Sequence, residues 1–199
     1  MEKFNIQLHD YCEKRISEFD LIEAERKKQL EDIAIYILSK QNADQECNLN
    51  FICTHNSRRS HLGQIWSQTA AYWYGVERVE TFSGGTEATA VNIRAVAALI
   101  RAGFIIENLN DVTVENPKYL VKSGPDAKVE SLFSKVYDHP VNPLKDFIAI
   151  LLCSDADKNC PVIPGANRRF YLPYDDPKMF DNIKKESEKY DESCQHIAR

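Results

Sequence analysis

The sequence predicts an α/β fold built on a parallel sheet. Short apolar runs alternate with stretches of helical periodicity along most of the chain, the pattern of strands alternating with helices. One run, FIAILLC at 147–153, is apolar almost without interruption, as in a strand buried on both faces. The 199 residues suffice for one domain with a sizeable core and scarcely for two.

Taken in order, residues 1–46 read as a helical extension. Asp20 with Glu23 has the spacing of a capping box. Leu30, Ile33, Ala34, Ile37 and Leu38 follow at helical spacing, predicting one face packed on the core. The pattern changes at CNLNFIC, residues 47–53, a short strand. THNSRRS follows as a polar loop. From Ser60 onward Leu62, Ile65, Trp66, Ala70 and Trp73 line one helical face. A second strand is expected at 79–82, running into Ser83-Gly84-Gly85. A helix over 92–102 ends at Gly103, a residue suited to the left-handed turn that terminates helices. Alternating residues around Ser123-Gly124-Pro125-Asp126 predict a hairpin within 117–136, inserted into the 47–199 core. The expectation for it is surface decoration rather than substrate selection. After the apolar strand at 147–153, a last strand is expected at 169–172 and a helical tail from about Met179. Ligands of parallel sheets sit at the carboxyl ends of the strands. Cys53 and Cys153 each end an expected strand, so two thiols remote in sequence are expected to meet.

The net charge of -5 argues against nucleic acid or an anionic membrane as the main partner, so an anion site must be a local basic pocket. The N-terminal MEKFNIQLHDYCEK carries charges where a signal peptide needs an apolar run, and no stretch approaches the roughly 18 apolar residues of a membrane span. The expected compartment is the cytoplasm. There, six cysteines read as thiols, redox groups or metal ligands rather than a disulfide framework.

The chemistry is expected in the loop Cys53-Thr54-His55-Asn56-Ser57-Arg58-Arg59-Ser60. A cysteine with an arginine six positions later is a weak signal by spacing alone, and the strand before it and helix after it make it a strong one. Successive backbone N–H groups and a helix N-terminus converge there on an anion. Arg59 offers a planar fork matched to a tetrahedral oxyanion. The same field favours the Cys53 thiolate, to which Ser60 can donate a hydrogen bond, and a thiolate held against a bound tetrahedral centre is a nucleophile in place.

CTHNSRRS resembles the phosphate-binding loop of the low-molecular-weight protein tyrosine phosphatases and of the thioredoxin-coupled arsenate reductases that share their fold. The resemblance spans roughly 48–177. It implies a four-stranded parallel sheet with helices on both sides, the N-terminal helices and the hairpin lying outside it. Both families use an aspartate just before a proline, late in the chain, as general acid. Asp176 in Tyr174-Asp175-Asp176-Pro177 matches that position, Asp175 is the weaker candidate, and the same residues are good turn formers.

The reductases also carry two cysteines after a later strand in a pattern like CSDADxxCP. This chain matches it at Cys153, Ser154, Asp155, Ala156, Asp157, Cys160 and Pro161. The resemblance therefore implies arsenate reduction through Cys53, Cys153 and Cys160, with thioredoxin as external electron donor and no bound cofactor. A phosphatase working through a Cys53 phosphoenzyme is the alternative, and a non-catalytic oxyanion-binding or redox-sensing regulator is a third. No metal is expected. As a calcium loop, Asp155, Asp157 and Asn159 fail, because Cys160 replaces the required glycine and Ala166 the bidentate glutamate. A zinc site lacks ligands beyond the weak candidates Cys194 and His196. Cys12, Cys47 and Cys194 read as structural.

Three positions depart from the family pattern. His55 replaces a common glycine, which predicts either backbone strain or a charge at the pocket rim. Arg58 replaces a cysteine outside the relay. Gln64 replaces a glutamate that helps hold potassium in the reductases.

Overall fold

A computed structural model describes residues 4–111, 113–159 and 162–199; the expected relay residue Cys160, with Pro161, lies outside the described residues. Four parallel strands form the central sheet in the order β2-β1-β6-β7: β1 Cys47–Cys53, β2 Val79–Gly85, β6 Phe147–Leu151 and β7 Ala166–Tyr171. Every residue of β6 is buried, as the unbroken apolar run requires of a strand covered on both faces. The register sets Cys53 beside Gly85 and Ile52 beside Leu151, so β1, β2 and β6 end level at one edge.

Helices cover both faces. Ile33 of α2 (Ala24–Asn42) is buried in one core with Leu49, Phe51 and the β6 residues, and Leu30, Tyr36 and Ile37 pack beside it. On the other face α3 (Arg59–Tyr74) lies against β1 and β2. Its Leu62, Ile65 and Trp66 share a second core with α1 (Ile6–Ile16), α4 (Ile93–Ala102) and α6 (Glu186–Ala198). The N-terminal extension thus straddles the sheet, α1 on one face and α2 on the other, joined through a 3-10 turn at Phe19–Leu21.

The structure corrects several expectations. Asp20 lies in that 3-10 turn, and Glu23 precedes α2 without a side-chain cap bond, so there is no capping box. Ala34 and Leu38 face solvent; the buried stripe of α2 is narrower than its apolar spacing suggests because only one side meets the sheet. β2 runs on to Gly85. β6 stops at Leu151, two residues before Cys153. A 3-10 turn at Pro177–Phe180 precedes the last helix, which begins only at Glu186.

The hairpin is present as β4 (Tyr119–Lys122) and β5 (Glu130–Leu132), paired with an unanticipated β3 (Ile105–Asn108) in an antiparallel sheet. It is more than decoration. Tyr119, Val121 and Leu132 are buried in the second core, and the segment leaving β5 runs to the end of β2, where Lys135 O accepts from Gly85 N and Tyr137 N donates to Gly85 O at 2.9 Å each.

That junction leaves no room for a side chain. A Cβ on Gly85 would lie 2.2 Å from Glu87 O and 2.6 Å from Thr54 O. Gly85→Ala is expected to cost about 1–3 kcal/mol by forcing these backbones apart, read as a fall of several degrees in the thermal midpoint together with weakened phosphate binding.

Candidate active site

The loop between β1 and α3 is shaped by what its carbonyls bond to. Five successive carbonyls have partners outside the loop. Cys53 O accepts from Thr86 N at 3.1 Å, and Thr54 O accepts from Glu87 N at 2.8 Å and Thr86 Oγ1 at 3.2 Å. His55 O accepts from Ser134 Oγ at 3.0 Å and Thr89 Oγ1 at 3.2 Å. Asn56 O accepts from His61 Nε2 at 2.8 Å, and Ser57 O accepts from Asn92 N at 2.9 Å. In a trans peptide the next residue's N–H points opposite to the carbonyl. With the carbonyls of 53–57 drawn outward, the N–H groups of 54–58 turn inward, the concave array that binds an oxyanion.

Asn56 is the keystone. Its φ of 44° is left-handed, a conformation asparagine tolerates better than most residues. The backbone strain expected at His55 is therefore displaced by one residue. His55 instead stands at the rim, half-exposed, with Nε2 3.8 Å from Glu87 Oε2. The Asn56 carboxamide accepts from Lys135 N at 2.8 Å and donates to Ser60 Oγ at 2.8 Å. That hydroxyl lies 3.1 Å from Cys53 Sγ, to which its free proton can be donated when the sulfur is a thiolate. Ser60 thus sits within hydrogen-bond reach of the Cys53 sulfur.

Arg59 opens α3 and turns toward the acid segment. Nη1 donates to Tyr174 O at 3.0 Å and Nη2 to Asp176 Oδ2 at 2.6 Å. The other Asp176 oxygen caps the 3-10 turn by accepting from Lys178 N at 3.0 Å. Asp176 is thus a turn former, as expected, and lies beside the loop arginine. Arg58, expected among the oxyanion contacts, points away instead. Its Nε donates to Tyr190 Oη at 2.8 Å and its Nη2 to Asp181 at 3.3 Å, so it ties the loop to α6. Burial, then the hydrogen bond to Asp181, pushes the Tyr190 hydroxyl up to about 12.

Cys153 follows β6, and its Sγ lies 3.4 Å from Thr54 Oγ1, so the two remote cysteines converge on one loop. The short helix α5 (Ser154–Asn159) begins directly after it and is held to β7 by an Arg169–Asp157 ion pair. Arg59, Cys153 and Asp176 open into one cleft of about 650 Å³. The N-terminal extension supplies its far wall through Leu21, Ile22 and Arg26, and Arg26 covers the Tyr174 ring at 4.6 Å. The remaining described thiols lie elsewhere. Burial pushes Cys12 up to about 12 and Cys47 and Cys194 up to about 11, and Cys194 Sγ accepts from Trp66 Nε1 inside the second core.

The chain is similar to arsenate reductase 2 of Staphylococcus epidermidis, 30% identical over 127 residues that cover 64% of this chain and 76% of that protein. It is 28% identical to the arsenate reductase of Staphylococcus aureus over 129 residues, 64% of this chain and 76% of that one. The chain belongs to the arsenate reductase and low-molecular-weight tyrosine phosphatase family. Solved structures similar to it include an arsenate reductase from Archaeoglobus fulgidus (TM-score 0.46, 16% identity, 75% of this chain and 95% of that one). Another is a low-molecular-weight phosphotyrosine phosphatase from Vibrio cholerae (TM-score 0.49, 14% identity, 76% and 89%). No family model matches the chain. Among the described residues, no helix is long and apolar enough to cross a membrane.

Within this family loop, sequence reasoning missed His61, Ser83, Ser134 and Lys135. His61 carried a usable signal, two positions after Arg59 on the same helix. Ser134 and Lys135 carried none, because only the path of the hairpin brings them to the loop. Gln64 donates to Glu130 Oε2 at 3.4 Å, and the Lys135 ammonium points at Ser83 Oγ at 3.5 Å.

His61 is buried and kept neutral, pushed down to about 3 from 6.5 by burial and by Lys135. Its unfolded form takes up a proton first, so this group's stabilisation is full above about 6.5 and is lost as pH falls toward 3. Urea midpoints measured between those values are expected to fall with pH, and to fall less steeply in His61→Gln. Arg59 Nε is buried without an acceptor among the described residues, a donor that a bound oxyanion can satisfy. Phosphate or arsenate at a hundred times its dissociation constant is expected to add about 2.7 kcal/mol of stability, visible as a raised thermal midpoint that Arg59→Ala abolishes.

Proposed function

We propose that this protein reduces arsenate to arsenite through Cys53, Cys153 and Cys160, with a thioredoxin-type dithiol as electron donor. The observation that carries the reading is the second thiol at the loop, Cys153 beside Thr54 in the cleft shared with Arg59 and Asp176. Hydrolysis of a phosphate ester needs no such group. The named arsenate reductases that match the chain support it further.

In the proposed sequence, the inward N–H groups and Arg59 hold the oxyanion, and Cys53 Sγ attacks arsenic. An As–O bond breaks and the oxygen leaves as water, its proton supplied by Asp176 once that carboxyl swings from Arg59 to the leaving oxygen. Cys153 Sγ then attacks Cys53 Sγ. The S–As bond pair stays on arsenic, which leaves as arsenite, and a Cys53–Cys153 disulfide forms. Attack of Cys160 on Cys153 frees the Cys53 thiolate and leaves a Cys153–Cys160 disulfide for the external dithiol to reduce. Six helical residues span about 9 Å, whereas disulfide-bonded Cα atoms lie within about 7 Å. We infer that α5 rearranges as the last bond forms.

Phosphatase chemistry is the second reading, favoured by one observation. A cleft of about 650 Å³ walled by Tyr171 and Tyr174 is of the size that takes organic ligands as well as a bare oxyanion. The test runs arsenate-dependent NADPH oxidation, coupled through thioredoxin and its reductase, beside hydrolysis of an aryl phosphate. Cys53→Ser is expected to abolish any activity. Cys153→Ser and Cys160→Ser are expected to stop arsenate reduction after at most one turnover while sparing aryl phosphate cleavage. Cleavage of the ester by the wild-type protein with no arsenate turnover would overturn the reductase reading.

A further inference from the structure

Beneath the oxyanion loop lies a cation that the relay does not use. Lys135 is 4% exposed, and its Nζ lies 3.5 Å from Ser83 Oγ and 3.5 Å from Phe133 O, with the Phe133 ring at 4.7 Å. No carboxylate pairs with it among the described residues. The titratable group facing it from α3 is His61, and Lys118 and His139 reach the same Phe133 ring from farther out. An unpaired buried ammonium is costly, so the fold carries this charge in spite of its own stability.

The hydrogen bonds around it have a single direction. His61 is neutral, and Nε2 faces a carbonyl, so Nε2 carries the proton and Nδ1 is bare. Nδ1 therefore accepts from the Ser83 hydroxyl at 3.1 Å, which leaves the Ser83 oxygen to accept from Lys135 Nζ. The chain runs Lys135 to Ser83 to His61 to Asn56 O. Lys135 also grips Asn56 from the other side, through its backbone N–H to Oδ1. From there the Asn56 amide donates to Ser60, and Ser60 to Cys53 Sγ. The donors of the first branch are polarised by the ammonium at its origin, and both branches end on the oxyanion loop.

We propose that Lys135 is a positioning residue that serves as the resident counter-cation of the oxyanion loop, fixing Asn56 through Ser83 and His61 and favouring the Cys53 thiolate by its charge. The inference deepens the reading of Cys53 as the nucleophile and holds whether the substrate is arsenate or a phosphate ester. It also sets an upper pH limit. Burial pushes Lys135 down to about 8 from 10.5, so the cation is lost as pH rises through about 8. Over that interval the unfolded chain holds the extra proton, so this group's contribution to stability rises with pH while the loop's anion affinity falls. A merely structural lysine would not separate the two.

The test reads Cys53 itself. Iodoacetamide alkylation of the Cys53 peptide, followed by mass spectrometry across pH, reports its thiolate fraction. Lys135→Met keeps the backbone bond to Asn56 and removes only the charge. It is expected to move the Cys53 midpoint up by about one pH unit, a roughly tenfold loss of thiolate at neutral pH. Ser83→Ala, which breaks the chain while keeping the charge, is expected to give a smaller shift. A folded Lys135→Met whose Cys53 profile overlays that of the wild type would overturn the proposal. Should Lys135→Met fail to fold, the wild-type protein decides. Inorganic phosphate must bind at least several-fold more weakly as pH rises through about 8, with the thermal midpoint not falling in parallel; unchanged affinity overturns it. None of these readouts depends on arsenate turnover, so they fail independently of the reductase reading.

Discussion

The site depends on the outward capture of five successive carbonyls, Cys53 to Ser57. A peptide loop left to itself would point some of its N–H groups at water and some carbonyls at the anion, which repels them. Here every partner is an anchored group: the backbone after β2, the Asn92 N-cap of α4, the His61 side chain of α3, and Ser134 behind the hairpin. The loop's concavity is a property of these surroundings. That is why the hairpin and the second core, which touch no substrate, belong to the site.

The charge arrangement follows the same division. The protein is acidic overall, yet Arg58, Arg59 and Lys135 are all buried around one loop. Each has a separate task. Arg58 braces the loop against α6, Arg59 faces the cleft, and Lys135 sits beneath. Burial meanwhile leaves Cys12, Cys47 and Cys194 as protonated, unreactive thiols. Chemical selectivity among the cysteines is thus set by environment, since every described one is buried.

Much of this was legible in the sequence. β1 falls on the expected residues because CNLNFIC is short and bounded by polar segments, and α4 ends at Gly103 because that residue adopts φ 111°. Arg59, Asp176 and Cys153 meet in one cleft beside the loop that Cys53 opens, because each lies just past the end of a strand of the same parallel sheet. The failures have physical causes too. Arg58 was expected as part of the oxyanion loop, and while its backbone belongs there, the turn into α3 aims its side chain at Tyr190 and Asp181. Of the two outcomes open for His55, strain or a place at the rim, the rim is observed, because the left-handed turn comes one residue later at Asn56. Lys135 and Ser134 were invisible, since tertiary contacts 79 residues apart leave no local pattern.

The Arg58 brace has a consequence for how the molecule is made. Its two partners lie 123 and 132 residues downstream, near the end of the chain. Contacts so distant form late, after the loop-closure entropy of the intervening chain has been met. A nascent chain emerging from the ribosome can build β1 and α3 early, yet the loop between them stays unbraced until α6 docks. A bound oxyanion would then favour molecules in which α6 has docked over those in which it has not.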